Sequence, residues 1–483
     1  AVNTSCQAIS WEVVVMARNR YKELGDNTAL FAISSFGSKF VSFLLLPLYT
    51  AVLSTSDYGI VDLMSNTVSL LIPLFTLNVQ DAVLRYGLGQ DAEPKEILSV
   101  GIRMVVRGSC VLFVALVLMT GLGIAPVGYI YLIFLMTMFV LNAFSNVITM
   151  YVKSQNYVQP LVISGIGNTL ITSVSAIFLL VVVKMGVMGY MVSITLGSLF
   201  AVVYLSFVGK IQQGITTSAR VSLMHSMIAF SAPLIANSLA WWVNDISDRW
   251  VVTLIWGTAA NGIYAVAYKI PSVLSTLQTI FYNAWSISAV KEYDPEDRDG
   301  FLGRTYEVYS GTMAICCSGI ILLDVPLASF LYSNEFFEAW RYVPLLLVGV
   351  LLNGLTLFEG CLFTAAKNTK AVSITTLIGA IVSIGSCVVL TITVGPIGAA
   401  IATLLGYMVS WVSRTHVMLT EVASIRVSWG TELITLTTLI VQAFIAIQEG
   451  MQILQIPLTV LIIFLRRKQL VSIWIFVMKK LGK

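Results

Sequence analysis

The sequence predicts an all-α polytopic membrane protein with about fourteen transmembrane helices. Of its 483 residues, 57% are hydrophobic and only 11% are charged, and the mean hydropathy is +0.88. Soluble domains carry about 25% charged residues, which excludes a water-soluble globule. Apolar runs of about 20 residues, the length that crosses a bilayer, recur from end to end. They lack the alternation of membrane β-strands, which excludes a β-barrel.

The candidate spans are joined by short connections. We place them near residues 28–52, 58–79, 99–122, 127–151, 160–182, 185–208, 226–256, 262–289, 306–332, 343–363, 371–394, 396–417, 430–447 and 451–465. Residues 469–483 are too short and too basic to cross, and they predict an amphipathic helix at the membrane surface.

The basic residues orient the chain. If the N-terminus is cytoplasmic, 23 of the 28 Lys and Arg residues fall on the inner side. Short cytoplasmic loops carry such an excess, so both termini are predicted to be cytoplasmic. No outer connection is long enough for a soluble domain.

An internal repeat predicts two six-helix lobes around a central cavity. At an offset of 203 positions, Thr50 matches Thr253 and Gly59 matches Gly262. The offset encloses an even number of spans, so both copies enter the membrane in the same direction, as parallel repeats do. Two extra C-terminal helices follow the lobes.

The domain boundaries follow from the spans. We assign 1–27 to a cytoplasmic N-terminal segment, 28–208 to the N-lobe, 209–225 to a cytoplasmic linker, 226–418 to the C-lobe, 419–466 to spans 13 and 14, and 467–483 to a basic amphipathic tail. Residues 1–15 have no initiator Met and no signal-peptide pattern, so we interpret them as a non-native extension.

Two lysines lie near the middle of predicted spans. Lys39 lies in the first span, and Lys269 lies in the eighth beside Pro271, which kinks a helix by removing a backbone hydrogen bond. A charge at this depth costs about 2.5–3.5 kcal/mol on an insertion scale. We interpret both lysines as cations that line a cavity. In the alternative, Lys39 reaches an interface and Lys269 pairs with an acid.

The seventh span carries a polar patch. It contains Trp242, Asn244, Asp245, Asp248 and Arg249. Residues four apart on a helix are close enough to pair, so Asp245 and Arg249 are predicted to form a local ion pair, with Asp248 left free to face the cavity. The tryptophan either belongs to an interfacial belt or stacks on sugar rings.

Further charges lie at the ends of spans. Arg85 is four residues after Asp81 at the inner end of the second span, where it either pairs locally or meets an anionic headgroup. Asp62 and Glu359 are candidate partners for the cations, or candidate sites for a coupling ion.

Several functional classes are disfavoured. The chain has two His residues and no Walker A, GxSxG or HExxH motif, and its six cysteines lack metal-ligand spacing. The basic residues are dispersed rather than clustered, which disfavours nucleic-acid binding. We predict a membrane transporter rather than an enzyme, without a cofactor, a metal or a nucleic-acid partner.

Several stretches resemble a known family. FAISSFGSKFVSFLLLPLYTAVLSTSDYGIVDL with QDAVLRYGLGQ is similar to the start of bacterial oligosaccharide flippases, and FSAPLIANSLAWWVNDISDRWVV is similar to the start of their second lobe. These flippases form the polysaccharide transporter branch of the multidrug/oligosaccharidyl-lipid/polysaccharide exporter superfamily. The resemblance covers about residues 16–483.

The resemblance implies a function. Such proteins move an undecaprenyl-pyrophosphate-linked oligosaccharide across the bacterial cytoplasmic (inner) membrane for capsule, O-antigen or exopolysaccharide synthesis. Two lobes alternate access around one cavity. The implied partners are the lipid-linked oligosaccharide, the phospholipid bilayer, H⁺ or Na⁺, and polysaccharide assembly proteins. The implied substrate-binding residues are Lys39, Arg85, Trp242, Asn244, Asp248, Arg249 and Lys269, and the ion-coupling candidates are Asp62, Asp245 and Glu359.

Two rival functions stay open. A cation-coupled multidrug antiporter of the same superfamily would have a cavity rich in acids and aromatics, whereas Lys39 and Lys269 favour an anionic substrate. A membrane-embedded glycan polymerase or ligase would carry catalytic groups on a large outer loop, and the short outer connections disfavour it.

Overall fold

The computed structural model describes residues 37–89, 92–123, 128–155, 157–211 and 220–469, and no β-strand occurs in these ranges. Residues 37–44 are helical and precede α1. The α-helices are α1 Leu46–Val52, α2 Thr55–Thr76, α3 Val79–Gly87, α4 Pro94–Gly121, α5 Tyr129–Ser154, α6 Val158–Ile177, α7 Val187–Val208, α8 Val221–Ala267, α9 Pro271–Lys291, α10 Phe301–Leu322, α11 Asp324–Leu331, α12 Val343–Ala365, α13 Thr369–Val394, α14 Ile397–Val417, α15 Trp429–Ala446 and α16 Gln455–Leu465. Two π-helical turns, Phe178–Val182 and Met418–Val422, extend α6 and α14. Short 3-10 helices occupy Asn334–Arg341 and Gln452–Leu454.

The helices fit a membrane protein. In the described ranges, 10 helices are long and apolar enough to cross a bilayer, or 11 if α10 and α11, which meet at 60°, form one bent span. Three shorter apolar helices, Gly37–Val52, Val221–Ala236 and Gln452–Leu465, coincide with parts of the first, seventh and fourteenth predicted spans. The prediction of an all-helical, polytopic membrane protein is confirmed.

The seventh and eighth predicted spans are divided differently from the prediction. Helix α8 covers the seventh span and enters the eighth, and it is kinked at Gly257, whose φ of 85° favours glycine. The eighth span then breaks where the sequence predicts a kink, because α8 ends at Ala267 and α9 begins at Pro271. Proline suits this first helical position because the amide hydrogen that it lacks has no helical partner there.

The chain forms two compact units. One comprises Ala1–Leu45 and Met64–Leu239, and the other comprises Leu46–Leu63 and Ala240–Lys483. Both α2 and α8 contribute residues to each unit. The lobe boundaries given above stay a prediction.

The core of the first unit lies where α3, α4 and α5 pack. Its fully buried side chains are Val79, Ala82, Val83, Ile97, Leu98, Val105, Phe139, Val147 and Val152. Phe75 packs edge-on against Phe139, with 6.2 Å between ring centroids. By contrast, α4 leaves Val111, Phe113 and Leu118 more than half exposed, as expected of a surface that faces lipid.

In the second unit, two segments that correspond under the repeat predicted from the sequence are in contact with each other. A Cβ atom on Gly262 would clash with the backbone carbonyl of Thr55, and a Cβ atom on Gly59 would clash with that of Thr258. These pairs exchange under the 203-residue offset. The hydroxyls of Ser56 and Thr258 lie 2.8 Å apart at the same crossing. Small residues let membrane helices approach in this way, and the reciprocal contact is what an approximate two-fold axis produces.

Helix α12 lies at the centre of the second unit, and 78% of its most apolar 18-residue stretch is buried. Beside it, aromatic rings from α9, α10 and α12 stack closely. The ring centroids of Trp285 and Phe358 are 4.3 Å apart, and those of Phe281 and Tyr309 are 4.4 Å apart. The indole of Trp285 also donates to the Phe358 carbonyl at 3.1 Å.

The last two helices are joined by a buried ion pair. Arg466, after α16, donates to Glu432 of α15 at 2.5 Å, and both side chains are 2% exposed. Arg466 also donates to Thr435 at 2.9 Å, and Ser310 of α10 donates to Glu432 at 2.7 Å. Because a buried ion pair needs such additional hydrogen bonds, this network ties α15 and α16 to α10.

A polar latch fixes the connection between α9 and α10. The buried Asp297 carboxylate accepts backbone N–H groups from Leu302 at 2.9 Å, Gly303 at 3.0 Å and Arg426 at 3.2 Å. Backbone N–H groups of residues 298 and 296 hold the pKa of the half-buried Asp294 below its ordinary value. The latch therefore holds this connection against the segment between α14 and α15.

Candidate functional site

The first candidate cations lie in the first unit. Lys39 is exposed in the helical stretch before α1. Arg85 is exposed on α3 and forms no ion pair with any described residue, so the local pair with Asp81 is not formed. The Asp81 carboxylate instead accepts the side-chain amide of Asn78 at 2.5 Å. Arg85 is therefore available for an external anion.

Lys269 lies in the second unit, in the break between α8 and α9. Its side chain is exposed and has no hydrogen-bond or ion-pair partner in the described part of the chain. The alternative in which Lys269 pairs with an acid at the kink finds no support among these residues. An ammonium group at this position needs water or an anion, because hydrocarbon solvates it poorly.

Arg249 forms an ion pair with a residue on another helix. Its guanidinium bonds to Asp62 of α2 at 2.5 Å and lies over the Tyr268 ring, 4.8 Å from the centroid. Asn261 joins the group by donating to the Gly59 carbonyl at 3.2 Å. Asp62 is thus a cation partner, as one interpretation held. The local pair of Arg249 with Asp245 stays a prediction, because the Asp245 side chain lies outside the described part of the chain.

The prediction that Asp248 stays free is wrong. Its carboxylate is 7% exposed and accepts hydroxyl hydrogen bonds from Tyr268 at 2.6 Å and Tyr264 at 2.8 Å. Thr403 of α14 donates to the same oxygen at 3.3 Å. The reason is helical geometry: Asp248 and Arg249 are consecutive on the helix, so the two side chains point in different directions and reach different neighbours.

Glu359 lies in the packed interior of the second unit. It is fully buried on α12, and one carboxylate oxygen accepts the Thr415 hydroxyl at 2.6 Å. Its second oxygen has no partner among the described residues. The guanidinium of Arg414 donates to backbone and hydroxyl oxygens, including the Thr356 carbonyl at 2.9 Å.

Two further candidate residues lie on α8. Trp242 is half-buried and interacts with other residues. Its place in an interfacial belt stays a prediction. Asn244 is helical, but its side chain lies outside the described part of the chain. The N-terminal segment 1–27 and most of the basic tail also fall outside it.

The first unit contains a polar cavity, and none of the candidate residues above lines it. Its volume is about 440 Å³. We call it the amide cavity, because its polar lining consists of Ser65, Ser69, Asn78, Gln80, Asn142, Asn146, Ser198 and Ser238. The signal was present in the sequence: Asn142 and Asn146, four residues apart, share one face of a largely apolar span.

The apolar helices of spanning length in the described ranges define this chain as a multi-pass membrane protein. Residues 24–286 match the family model described as polysaccharide biosynthesis protein, and the chain belongs to this family. The resemblance to oligosaccharide flippases of the exporter superfamily is confirmed by this match together with the fold.

Solved structures share the fold. The lipid II flippase MurJ in an inward closed conformation gives a TM-score of 0.66 at 14% identity, covering 94% of this chain and 100% of that chain. An inward-facing multidrug resistance MATE family transporter of the MOP superfamily gives 0.61 at 12% identity, covering 83% and 95%. A MOP superfamily transporter from Pyrococcus furiosus gives 0.50 at 12% identity, covering 82% and 96%. Comparison with curated proteins finds no match.

Proposed function

We propose that the chain translocates an undecaprenyl-pyrophosphate-linked oligosaccharide across the bacterial cytoplasmic membrane for capsule, O-antigen or exopolysaccharide synthesis. Its two repeat-related lobes would alternate access to a cationic cavity. The lipid tail would stay in the bilayer, while the pyrophosphate and glycan pass through the protein. Membership of the polysaccharide biosynthesis protein family supports the pathway.

The observation that carries the proposal is a contrast among the cations of the helices and helix junctions. Arg249, Arg414 and Arg466 are all engaged by protein acceptors. Arg85 and Lys269 are exposed, and no described residue neutralises them. Unneutralised charge near hydrocarbon is costly unless an aqueous cavity or an anion faces it. A pyrophosphate is such an anion, and a cationic drug is not.

The predicted substrate residues then differ in role. Lys39, Arg85 and Lys269 supply positive charge for the pyrophosphate and for acidic sugars. Arg249 can do so only by exchanging Asp62 for the substrate, because its charge is already neutralised. Asp248 would act by positioning the Tyr264 hydroxyl and its other hydroxyl partners, rather than by binding the substrate directly.

Ion coupling by H⁺ or Na⁺ belongs to the same proposal. Of the candidate acids, Asp62 is engaged by Arg249, whereas Glu359 keeps one carboxylate oxygen without a partner in the described part of the chain. A bound H⁺ or Na⁺ would give this buried oxygen the partner that the described residues do not supply. Glu359 is therefore the strongest of the coupling candidates on structural grounds.

The test is the appearance of lipid-linked oligosaccharide at the outer face of cells, read with an impermeant sugar-labelling reagent. Losing a charged hydrogen-bond partner is worth about 1.5–3 kcal/mol, so Lys269→Ala should slow labelling roughly 10- to 100-fold. Lys269→Arg should retain most activity. Lys153→Ala removes the same charge from an exposed helix end and should have no effect.

Wild-type labelling rates in both Lys39→Ala and Lys269→Ala would contradict the cationic cavity. The second candidate is a cation-coupled multidrug antiporter, and the buried Asp248 beside Tyr264 and Tyr268 is the observation that favours it. Drug extrusion without glycan movement would establish that alternative.

A further inference from the structure

The amide cavity combines uncharged donors and acceptors from several helices. Ser65 and Ser69 come from α2, Asn142 and Asn146 from α5, and Ser198 from α7. All of its lining residues belong to the first unit. The volume of about 440 Å³ lies within the roughly 300–1,000 Å³ of small-molecule sites.

One side of the amide cavity is fixed by internal hydrogen bonds. Asn78 donates to Asp81 at 2.5 Å and accepts the side-chain amide of Gln80 at 2.7 Å. Asn78 begins this segment in a left-handed conformation, with φ of 54°. The amide groups at the junction of α2 and α3 are therefore held in place before any ligand arrives.

The other sides retain unused hydrogen-bonding capacity. Asn146, Ser198 and Ser238 make no side-chain hydrogen bond with any described residue. Asn142 donates one hydrogen to the Met138 carbonyl at 2.8 Å, which leaves its amide oxygen available. Unsatisfied amides within a membrane are costly, so this cavity must hold water or a polar ligand.

The chemistry of the lining selects among ligands. No charged or aromatic side chain lines the described cavity. A phosphate would need cationic donors, and a cationic drug would favour acids or aromatic faces. Amides and hydroxyls both donate and accept hydrogen bonds, as sugar hydroxyls do.

We infer that the amide cavity is a glycan subsite that binds neutral sugar residues of the transported molecule through their hydroxyl groups. The inference rests on the proposed function for the origin of the glycan, which arrives attached to the lipid carrier. The lining of the subsite is uncharged, whereas the residues that would recognise the pyrophosphate are cations. Affinity for the glycan and affinity for the headgroup therefore depend on different residues.

The experiment compares two probes on the purified full chain in nanodiscs. One is undecaprenyl pyrophosphate, and the other is the same lipid carrying the oligosaccharide isolated from the host cells. Each lost hydrogen bond is worth about threefold to tenfold in affinity. Wild type should bind the glycosylated lipid at least tenfold more tightly. In Asn142→Leu/Asn146→Leu this ratio should fall towards one, with unchanged affinity for the bare lipid.

Controls separate recognition from folding. Thr137→Val on the same helix removes a hydroxyl that, within the described ranges, bonds only to the Ile133 carbonyl, and it should keep the wild-type ratio. Ser198→Val, from another wall, should lower the ratio even if the asparagine variant fails to fold. Its matched control is Thr195→Val, whose hydroxyl bonds within its own helix.

The outcomes distinguish the two proposals. Lys269→Ala should weaken binding of both lipids equally and leave the ratio unchanged. An unchanged ratio in the asparagine and Ser198 variants, with both lipids still bound by wild type, would overturn the glycan subsite alone. Failure of wild type to bind either lipid would overturn the proposed function and the inference that rests on it.

Discussion

Replacing Gly262 by alanine should destabilise the second unit through a steric clash at one helix crossing. The new Cβ atom would lie 2.8 Å from the carbonyl carbon of Thr55, where carbon atoms normally stay about 3.5–4.0 Å apart. The opposing group is backbone, so the helices must separate by roughly 1 Å. Overpacking of this kind costs about 1–3 kcal/mol. The apparent melting temperature of the detergent-purified protein should fall measurably.

Gly385→Ala is the matched control, because no atom lies within 4 Å of its added Cβ. There alanine should be neutral or stabilising, by up to about 1 kcal/mol, because it favours helix. Gly59→Ala should resemble Gly262→Ala. The double variant should lose less than the sum, because one separation of the helices accommodates both methyl groups. Equal melting temperatures for Gly262→Ala and Gly385→Ala would refute the reasoning, and so would full additivity at positions 59 and 262.

Two further predictions concern buried charges. Arg249→Ala leaves Asp62 without its cation and should lower stability by about 3 kcal/mol in thermal unfolding, whereas Arg341→Ala, which removes only exposed ion pairs, should cost less than about 1 kcal/mol. Similar losses in the two variants would contradict the assignment of Arg249. Asp297→Ala should release the polar latch and speed trypsin cleavage between α9 and α10 several-fold, while the exposed neighbour Glu296→Ala should not; equal cleavage rates would argue against the latch.

Composition and apolar run length were sufficient to predict the fold class, because the bilayer imposes the same length on every span. The Pro271 break was also predictable, since proline removes a backbone hydrogen bond from a helix. Helix spacing could not indicate Asp62 as a partner of Arg249, because it proposes only partners on the same helix. Asp62 lies 187 positions away, and its pairing with Arg249 depends on tertiary packing.

The amide cavity illustrates another limit. Asn142 and Asn146 share a helix face, and that much is visible in the sequence. The sequence does not indicate that Ser198 of a distant helix faces the same space, because serine is common in membrane helices and satisfies itself by bonding to its own backbone. Volume and shared lining emerge only when α2, α5 and α7 are packed together.

The buried pair of Glu432 and Arg466 has a consequence for biosynthesis. The two residues are 34 positions apart, and the arginine follows the last apolar helix of the described chain. At about 5–20 residues per second, the ribosome adds Arg466 roughly 2–7 s after Glu432. During that interval the acid of α15 cannot be buried at low cost. Stable integration of α15 must therefore wait for α16, so a nascent chain that stops before Arg466 presents an incomplete membrane domain to quality-control proteases.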